Sequence, residues 1–269
     1  MLRTRVITGL ILGALLLAIV FLLPPLWTVM AWGLVFLIGA WEWAGFGALR
    51  ALPKRAAYTA VIAALLFAAW KWSEQRSHLL ILLSLAVAWW AAAFLWLTLA
   101  PARHKPWVAL LCGLPVLVPA FVALARLQTS EGIARGPLLV FFLALLVCAA
   151  DVGAYFAGRQ FGRHKLAPRV SPGKTWEGAA GGAVVVALVA WVGAVRFDLP
   201  VLALMAFGIG IATVSVIGDL TESMFKRAAA LKDSGGILPG HGGMLDRLDS
   251  VTAAAPLYAL GLFGSGVIR

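Results

Sequence analysis

Nine apolar runs, at roughly 6–23, 26–46, 56–72, 79–99, 107–125, 137–157, 177–195, 200–225 and 245–265, take up most of this chain, and each is long enough to cross a bilayer as a helix. Transmembrane strands would alternate apolar and polar residues. A segment such as Ile81–Leu97 is instead apolar almost throughout, which favours helices over a closed barrel. Composition closes off the other classes. Of 269 residues, 62% are hydrophobic and 12% charged, and the mean hydropathy is +0.96. Soluble domains carry roughly 25% charged residues, and disorder needs low hydrophobicity. The expected fold is therefore an all-α, polytopic transmembrane helix bundle of about nine spans. It reads as a single membrane domain over 1–269. Residues 1–136 are mostly apolar scaffold helices and a surface for pairing two copies. Residues 137–269 are helices and cytoplasmic loops carrying the polar site.

The net charge of +11 would suggest nucleic acid in a soluble protein. Here topology and anionic lipid headgroups account for it, and no nucleic-acid partner is expected. With a cytoplasmic N-terminus, the outer segments hold Lys71, Arg76, Arg126, Arg135, Arg196 and Arg269. The other sixteen of the 22 Lys and Arg residues fall inside, an excess that supports N-in and C-out. The first run, after Arg3 and Arg5, passes into Pro24-Pro25 with no small-residue cleavage site. It reads as a retained span rather than a signal peptide. Cys112 and Cys148 both lie in apolar runs and are expected as small core residues. No internal repeat is visible, which argues against a transporter built from inverted halves.

The acidic residues are unevenly placed. Eight of eleven fall at or after Asp151. An ionisable group at membrane depth costs at least ~2.5 kcal/mol, so it normally faces a partner or a wet cavity. Within the eighth run, Asp219, Glu222, Ser223 and Lys226 sit at i, i+3, i+4 and i+7, on one helix face. Lys226 and Arg227 near the inner boundary could simply snorkel to headgroups, but that does not explain Asp219 two turns deeper. A loop from Lys232-Asp233 to Asp246-Arg247-Leu248-Asp249 follows, holding five glycines, Pro239 and His241. Glycines let a backbone approach a ligand closely. Carboxylates without a Cys/His cluster suit a hard cation such as Mg2+. Asp219, Asp246 and Asp249 with Lys and Arg nearby suit a metal–triphosphate site better than a purely structural ion-pair network. His241 reads best as a hydrogen-bond donor to phosphate.

Upstream, Ser171-Pro172-Gly173-Lys174-Thr175 precedes Trp176-Glu177. Its Gly-Lys-Thr resembles the end of a phosphate-binding P-loop, but Pro168 stands where that motif needs glycine, and an apolar helix replaces the required strand. Two readings stand side by side. The segment is a turn whose amides and Lys174 bind an anion at a helix start, or it is a basic loop that only fixes topology.

The run Ser223, Lys226-Arg227, Lys232-Asp233, Pro239-Gly240-His241-Gly242-Gly243 and Asp246-Arg247-Leu248-Asp249 closely resembles the signature of the phosphatidate cytidylyltransferase (CDP-diacylglycerol synthase) family. Ser171–Gly178 and the Asp151–Arg159 segment resemble it too. The resemblance covers the second half of the chain; the first half matches in hydropathy alone. It implies a Mg2+-dependent nucleotidyltransferase of phospholipid biosynthesis in a bacterial inner membrane, with its active site facing the cytoplasm. CTP and phosphatidate would give CDP-diacylglycerol and pyrophosphate. It further implies a pair of cations, with Asp219 and Asp246 central; Asp249 is added here as a third ligand. Lys226 and Arg227 would act with these acids. Ser171, Lys174, Ser223, Lys232, His241, Gly242 and Arg247 would contact substrate. Two rivals remain. A CDP-alcohol phosphotransferase would need glycine after its paired acids, where this chain has Ser250. An ion-coupled transporter using Asp151, Asp219 and Asp246 would need polar groups in the outer half of the bundle.

Overall fold

A computed structural model describes residues 2–99, 105–131 and 136–268, with side chains from residue 7 onward. Arg103, Arg135 and Arg269, and the side chains of Arg3 and Arg5, all counted in the orientation argument, lie outside the described residues. The described chain forms nine α-helices: α1 (Leu2–Leu22), α2 (Pro25–Phe46), α3 (Leu52–Trp72), α4 (Arg76–Leu99), α5 (Pro106–Thr129), α6 (Gly136–Phe161), α7 (Trp176–Phe197), α8 (Val201–Ala228) and α9 (Leu245–Ser265). Seven of them, α2 to α8, are long and apolar enough to cross a membrane. The apolar part of α1, Ile7–Leu22, is shorter, and α9 opens with Asp246, Arg247 and Asp249. One departure from an all-helical chain lies between α6 and α7. There, β1 (Lys165–Ala167) and β2 (Ser171–Thr175) form a two-stranded antiparallel hairpin. Its strands are too short to show an alternating pattern in sequence.

Local chemistry sets the breaks. Pro24 and Pro25 end α1 and open α2, with proline in the first turn where its missing N–H costs nothing. The Thr28 hydroxyl lies 3.0 Å from the Ile19 carbonyl and 3.3 Å from those of Leu23 and Pro24, and Gln128 Nε2 donates at 2.9 Å to the Val20 carbonyl, the acceptor that Pro24 leaves open. Pro115 and Pro119 lie inside α5. Trp43 Nε1 donates to the Ala109 carbonyl at 2.7 Å and the Tyr58 hydroxyl to that of Leu110 at 3.0 Å. These two bonds tie α2 and α3 to the first half of α5, upstream of its prolines.

Helix α5 is the most enclosed, packed by α2, α3, α4, α6 and α9, while α9 touches both the early and the late helices. Trp43, Phe46, Trp96 and Phe225 pack in tilted and edge-to-face pairs at centroid distances of 5.2–5.8 Å and join α2, α4 and α8. By contrast α3 buries only Ile62 and Leu66. Cys112 is buried as expected, but Cys148 is exposed, and both thiols are free. The core expectation for Cys148 is thus corrected: in lipid an outward face is as apolar as an inward one, so the surrounding hydropathy could not orient it.

The α6–α7 contact determines where the polar hairpin sits. A Cβ on Gly153 would lie 2.8 Å from the Gly181 carbonyl oxygen, one on Gly182 2.7 Å from that of Ala150, and one on Gly181 2.2 Å from the Ala157 methyl. The two backbones therefore touch directly, the close packing by which helices associate where lipid supplies no hydrophobic drive. A leucine at Gly181 would wedge them apart. Thr175 closes the hairpin and caps α7, its hydroxyl accepting from Gly178 N–H at 3.1 Å. The Glu177 carboxylate accepts from His164 N–H, and His164 Nδ1 lies 2.6 Å from Glu177 Oε1.

Candidate functional site

The hairpin carries Lys174 back over the bundle. Its Nζ lies 2.6 Å from Asp219 Oδ2, on α8. The other Asp219 oxygen accepts from the Ser223 hydroxyl at 3.2 Å, one turn along the same face. Helices α8 and α9 meet here because residue 218 is glycine: a Cβ on Gly218 would lie 2.5 Å from the Asp249 carbonyl oxygen and 2.8 Å from the Ala253 methyl. Asp219 consequently lies within electrostatic range of Asp249 on α9 and of Asp151 on α6. Motifs that stand 45 and 30 residues apart in the chain, at Lys174, Asp219 and Asp249, thus converge on one place.

A second centre adjoins it. Lys226 is buried, with Nζ 2.6 Å from Asp246 Oδ1 and 3.1 Å from Glu222 Oε1. The Glu222 carboxylate is buried too, and neither of its oxygens receives a well-directed hydrogen bond. Asp246 Oδ2 accepts from Ser234 N–H at 2.9 Å and from Gly243 N–H at 2.8 Å. Gly242 has φ +79°, and a Cβ there would lie 2.6 Å from Asp246 Oδ2. Both the positive φ and the close approach therefore call for glycine.

The remaining residues flagged by sequence are spread around these centres. Arg247 is exposed and donates to the His241 carbonyl at 3.1 Å. His241 faces α1: a Cβ on Gly9 would lie 3.8 Å from its Nε2, and its buried Nδ1 has no hydrogen-bond partner among the described residues. Arg227 is exposed and reaches the Leu231 carbonyl at 3.4 Å. Lys232 is exposed, and Ser171 is half-buried in β2, opposite Ala167. Among the described residues, no group of three or more His, Cys, Asp or Glu side chains is gathered tightly enough to hold a metal ion. Asp246 is occupied by Lys226 and two amides, and so is not gathered with Asp219 and Asp249 into one ligand set.

Sequence reasoning passed over Glu42. This acid of α2 accepts from the Ser234 hydroxyl at 3.0 Å, Met244 N–H at 3.1 Å and Leu245 N–H at 2.8 Å. Its signal was the rarity of an acid inside an apolar run.

An apolar cavity of about 710 Å3 opens beside the charged cluster, lined among others by Phe94, Ala150, Arg169, Trp176, Ile217 and Leu220. Two of these, Ala150 and Leu220, adjoin Asp151 and Asp219 in the chain.

The sequence matches the cytidylyltransferase family over residues 3–263. It is 37% identical to the phosphatidate cytidylyltransferase of Haemophilus influenzae, over 96% of this chain and 98% of that protein. It is 41% identical to the phosphatidate cytidylyltransferase of Pseudomonas aeruginosa, over 99% of this chain and 98% of that one. A shorter alignment, 50% identical over 134 residues, relates it to the phosphatidate cytidylyltransferase of Brucella suis. With a buried charge cluster inside an apolar helix bundle and matches of this length, the chain belongs to the cytidylyltransferase family.

Proposed function

We propose that this protein transfers the cytidylyl group of CTP to phosphatidate, giving CDP-diacylglycerol and pyrophosphate, as a single membrane domain. The observation that carries the reading is the meeting of Lys174 from the hairpin with Asp219 of α8, beside Asp151 and Asp249. That meeting favours phosphate binding over a topology signal for the Ser171–Thr175 segment, because a loop that only fixed topology would not need to reach a carboxylate at membrane depth.

The reaction joins two polyanions. A phosphatidate phosphate oxygen attacks the α-phosphorus of CTP; a new P–O bond forms, the α–β bridging P–O bond breaks, and pyrophosphate leaves. The nucleophile is already ionised, so no general base is required, and catalysis rests on positioning and electrostatic stabilisation. Lys174 holds one phosphate from the hairpin side. Lys226, fixed between Glu222 and Asp246, presents a buried positive charge from α8. Arg227, Lys232 and Arg247 screen the triphosphate at the exposed rim, and His241 and the Gly242 backbone approach it from the glycine loop. Ser223 orients an oxygen next to Asp219. The apolar cavity beside the cluster suits an acyl chain, so phosphatidate reaches the site from the bilayer while CTP reaches it from water.

By the chemistry of its oxygen ligands, though not by a ready-made group of three among the described residues, the cluster suits a hard divalent cation. Asp151, Asp219, Glu222, Asp246 and Asp249 outnumber the cations Lys174, Lys226 and Arg247 at the cluster, and the Glu222 oxygens lack directed donors. Mg2+ would be held by Asp219 and Asp249, with Asp246 adjoining. Such an ion, when bound, would supply Lewis-acid stabilisation of phosphoryl charge; a second cation would meet the remaining carboxylates. The excess of basic residues at the hairpin and at the end of α8 supports a site on the cytoplasmic side, in a reading with about nine spans, the N-terminus inside and a bacterial inner membrane as the location. Lipid covers the exposed apolar faces of α1 and α3, the faces on which a homodimer would form.

Purified protein supplied with CTP labelled at the α-phosphate and with phosphatidate tests the reading. Labelled lipid with stoichiometric pyrophosphate is the expected result. No labelled lipid under any divalent ion, or solute flux into vesicles without lipid product, would refute it and favour a transporter.

A further inference from the structure

Glu42 belongs to a helix that otherwise serves as scaffold, yet all three of its hydrogen bonds reach the glycine loop and the start of α9, some 190–200 residues on. Helix α9 lacks a cap of its own, since Met244 offers no side-chain acceptor. The first amides of a helix have no partner within it, and a carboxylate placed there is favoured by the helix dipole. Glu42 supplies that carboxylate from another helix, to Met244 and Leu245 N–H.

The loop is shaped around this side chain. A Cβ on Gly235 would lie 2.3 Å from Glu42 Oε1, and one on Gly243 would lie 2.5 Å from Oε2 and 2.1 Å from Ser234 Oγ. These two glycines leave room for the carboxylate. The same short segment holds Asp246. Ser234 gives its hydroxyl to Glu42 and its amide to Asp246, while Gly243, pressed against Glu42, gives its amide to Asp246 as well. The loop is thus pinned between two carboxylates, one from α2 and one from α9. Asp246 in turn holds Lys226.

We propose that Glu42 is a positioning residue for cytidylyl transfer: it fixes Ser234 and Gly243, which aim Asp246 and through it Lys226, without itself touching substrate. The catalytic half of this inference rests on the CTP–phosphatidate reading above. The positional half does not.

The test uses the full chain in detergent. Glu42→Gln keeps the volume but turns an amide nitrogen towards groups that are themselves donors. Its expected effect is a fall in kcat of about tenfold or more with KM for CTP changed by less than about threefold. Glu42→Asp, retaining the charge, recovers part of that loss. Ser234→Ala, which removes one donor and keeps the carboxylate, lowers kcat several-fold with an unaltered melting temperature. Hydrogen exchange supplies a readout independent of turnover: the Ser234 and Gly243 amides, which serve Asp246, lose protection in Glu42→Gln. Wild-type kcat in folded Glu42→Gln overturns the proposal, as does unchanged protection at those two amides. If Glu42→Gln does not fold, wild-type kcat in Ser234→Ala overturns it. A wild-type protein that makes no CDP-lipid sinks the reaction instead, and the exchange result still decides whether Glu42 orders the loop.

Discussion

Gly218 offers a sharp test of how the site is assembled. In Gly218→Ala the added methyl carbon would start 2.5 Å from the Asp249 carbonyl oxygen, whereas ordinary contact begins near 3.4 Å. Helices α8 and α9 must therefore separate locally by about 0.9 Å, the difference of those two distances. The opposing atom is backbone, so no rotamer change can absorb the clash. Forcing a methyl into a packed contact costs about 1–3 kcal/mol. The larger effect is on chemistry: the residue after Gly218 is Asp219, and the atom struck belongs to Asp249, so the clash displaces both carboxylates together. A shift of about 1 Å in such groups can cost on the order of 100-fold in rate. The expected outcome is a fall in kcat/KM of roughly 30- to 100-fold in a protein that still purifies as a folded species. Gly210→Ala, on the same helix, is the control, because a Cβ there meets nothing within 4 Å. Initial rates with labelled CTP and phosphatidate, alongside melting curves for both variants, provide the measurement. A folded Gly218→Ala enzyme at wild-type rate, or an equal loss in Gly210→Ala, would refute the claim that this contact positions the acids.

Other consequences can be read from the same assays. Lys174→Ala is expected to lower activity by more than about tenfold, because the hairpin's ammonium is taken to hold a phosphate; a change within twofold would return that loop to a topological role. Asp246→Asn removes the carboxylate charge that faces the buried Lys226 ammonium at 2.6 Å, so turnover should vanish while circular dichroism stays native. Lys226→Met strands two buried carboxylates, which costs about 3–5 kcal/mol, and should abolish accumulation of folded protein. Adding Glu222→Gln to Lys226→Met should restore part of the folded yield without restoring turnover.

Much of the architecture was legible because span length and continuous hydropathy leave few alternatives, and all nine apolar runs became helices. The polar face of α8 was legible too, since four polar residues at helical spacing in an apolar run have few explanations. Other features left weaker traces. The hairpin at Lys165–Thr175 has one strand of three residues and the other interrupted by Pro172 and Gly173, so no alternation marks it. The identity of Asp246 says nothing of its partners, the Ser234 and Gly243 amides and Lys226. Glu42 stood alone in an apolar segment, its partners some 200 residues away. Cys148 was misassigned because lipid makes the outside of a helix resemble its inside.

The contact between Lys174 and Asp219 also bears on how the protein survives between turnovers. Strong charges set deep among apolar helices would ordinarily draw in water or pull the bundle open. Here the two ammonium groups of the cluster, Lys174 and Lys226, are each paired with a carboxylate. Arrival of nucleotide and lipid then becomes an exchange of partners, phosphate for carboxylate, rather than the fresh stripping of water from a bare ion. Ligand departure then restores the original couples, so neither charge is left without a partner.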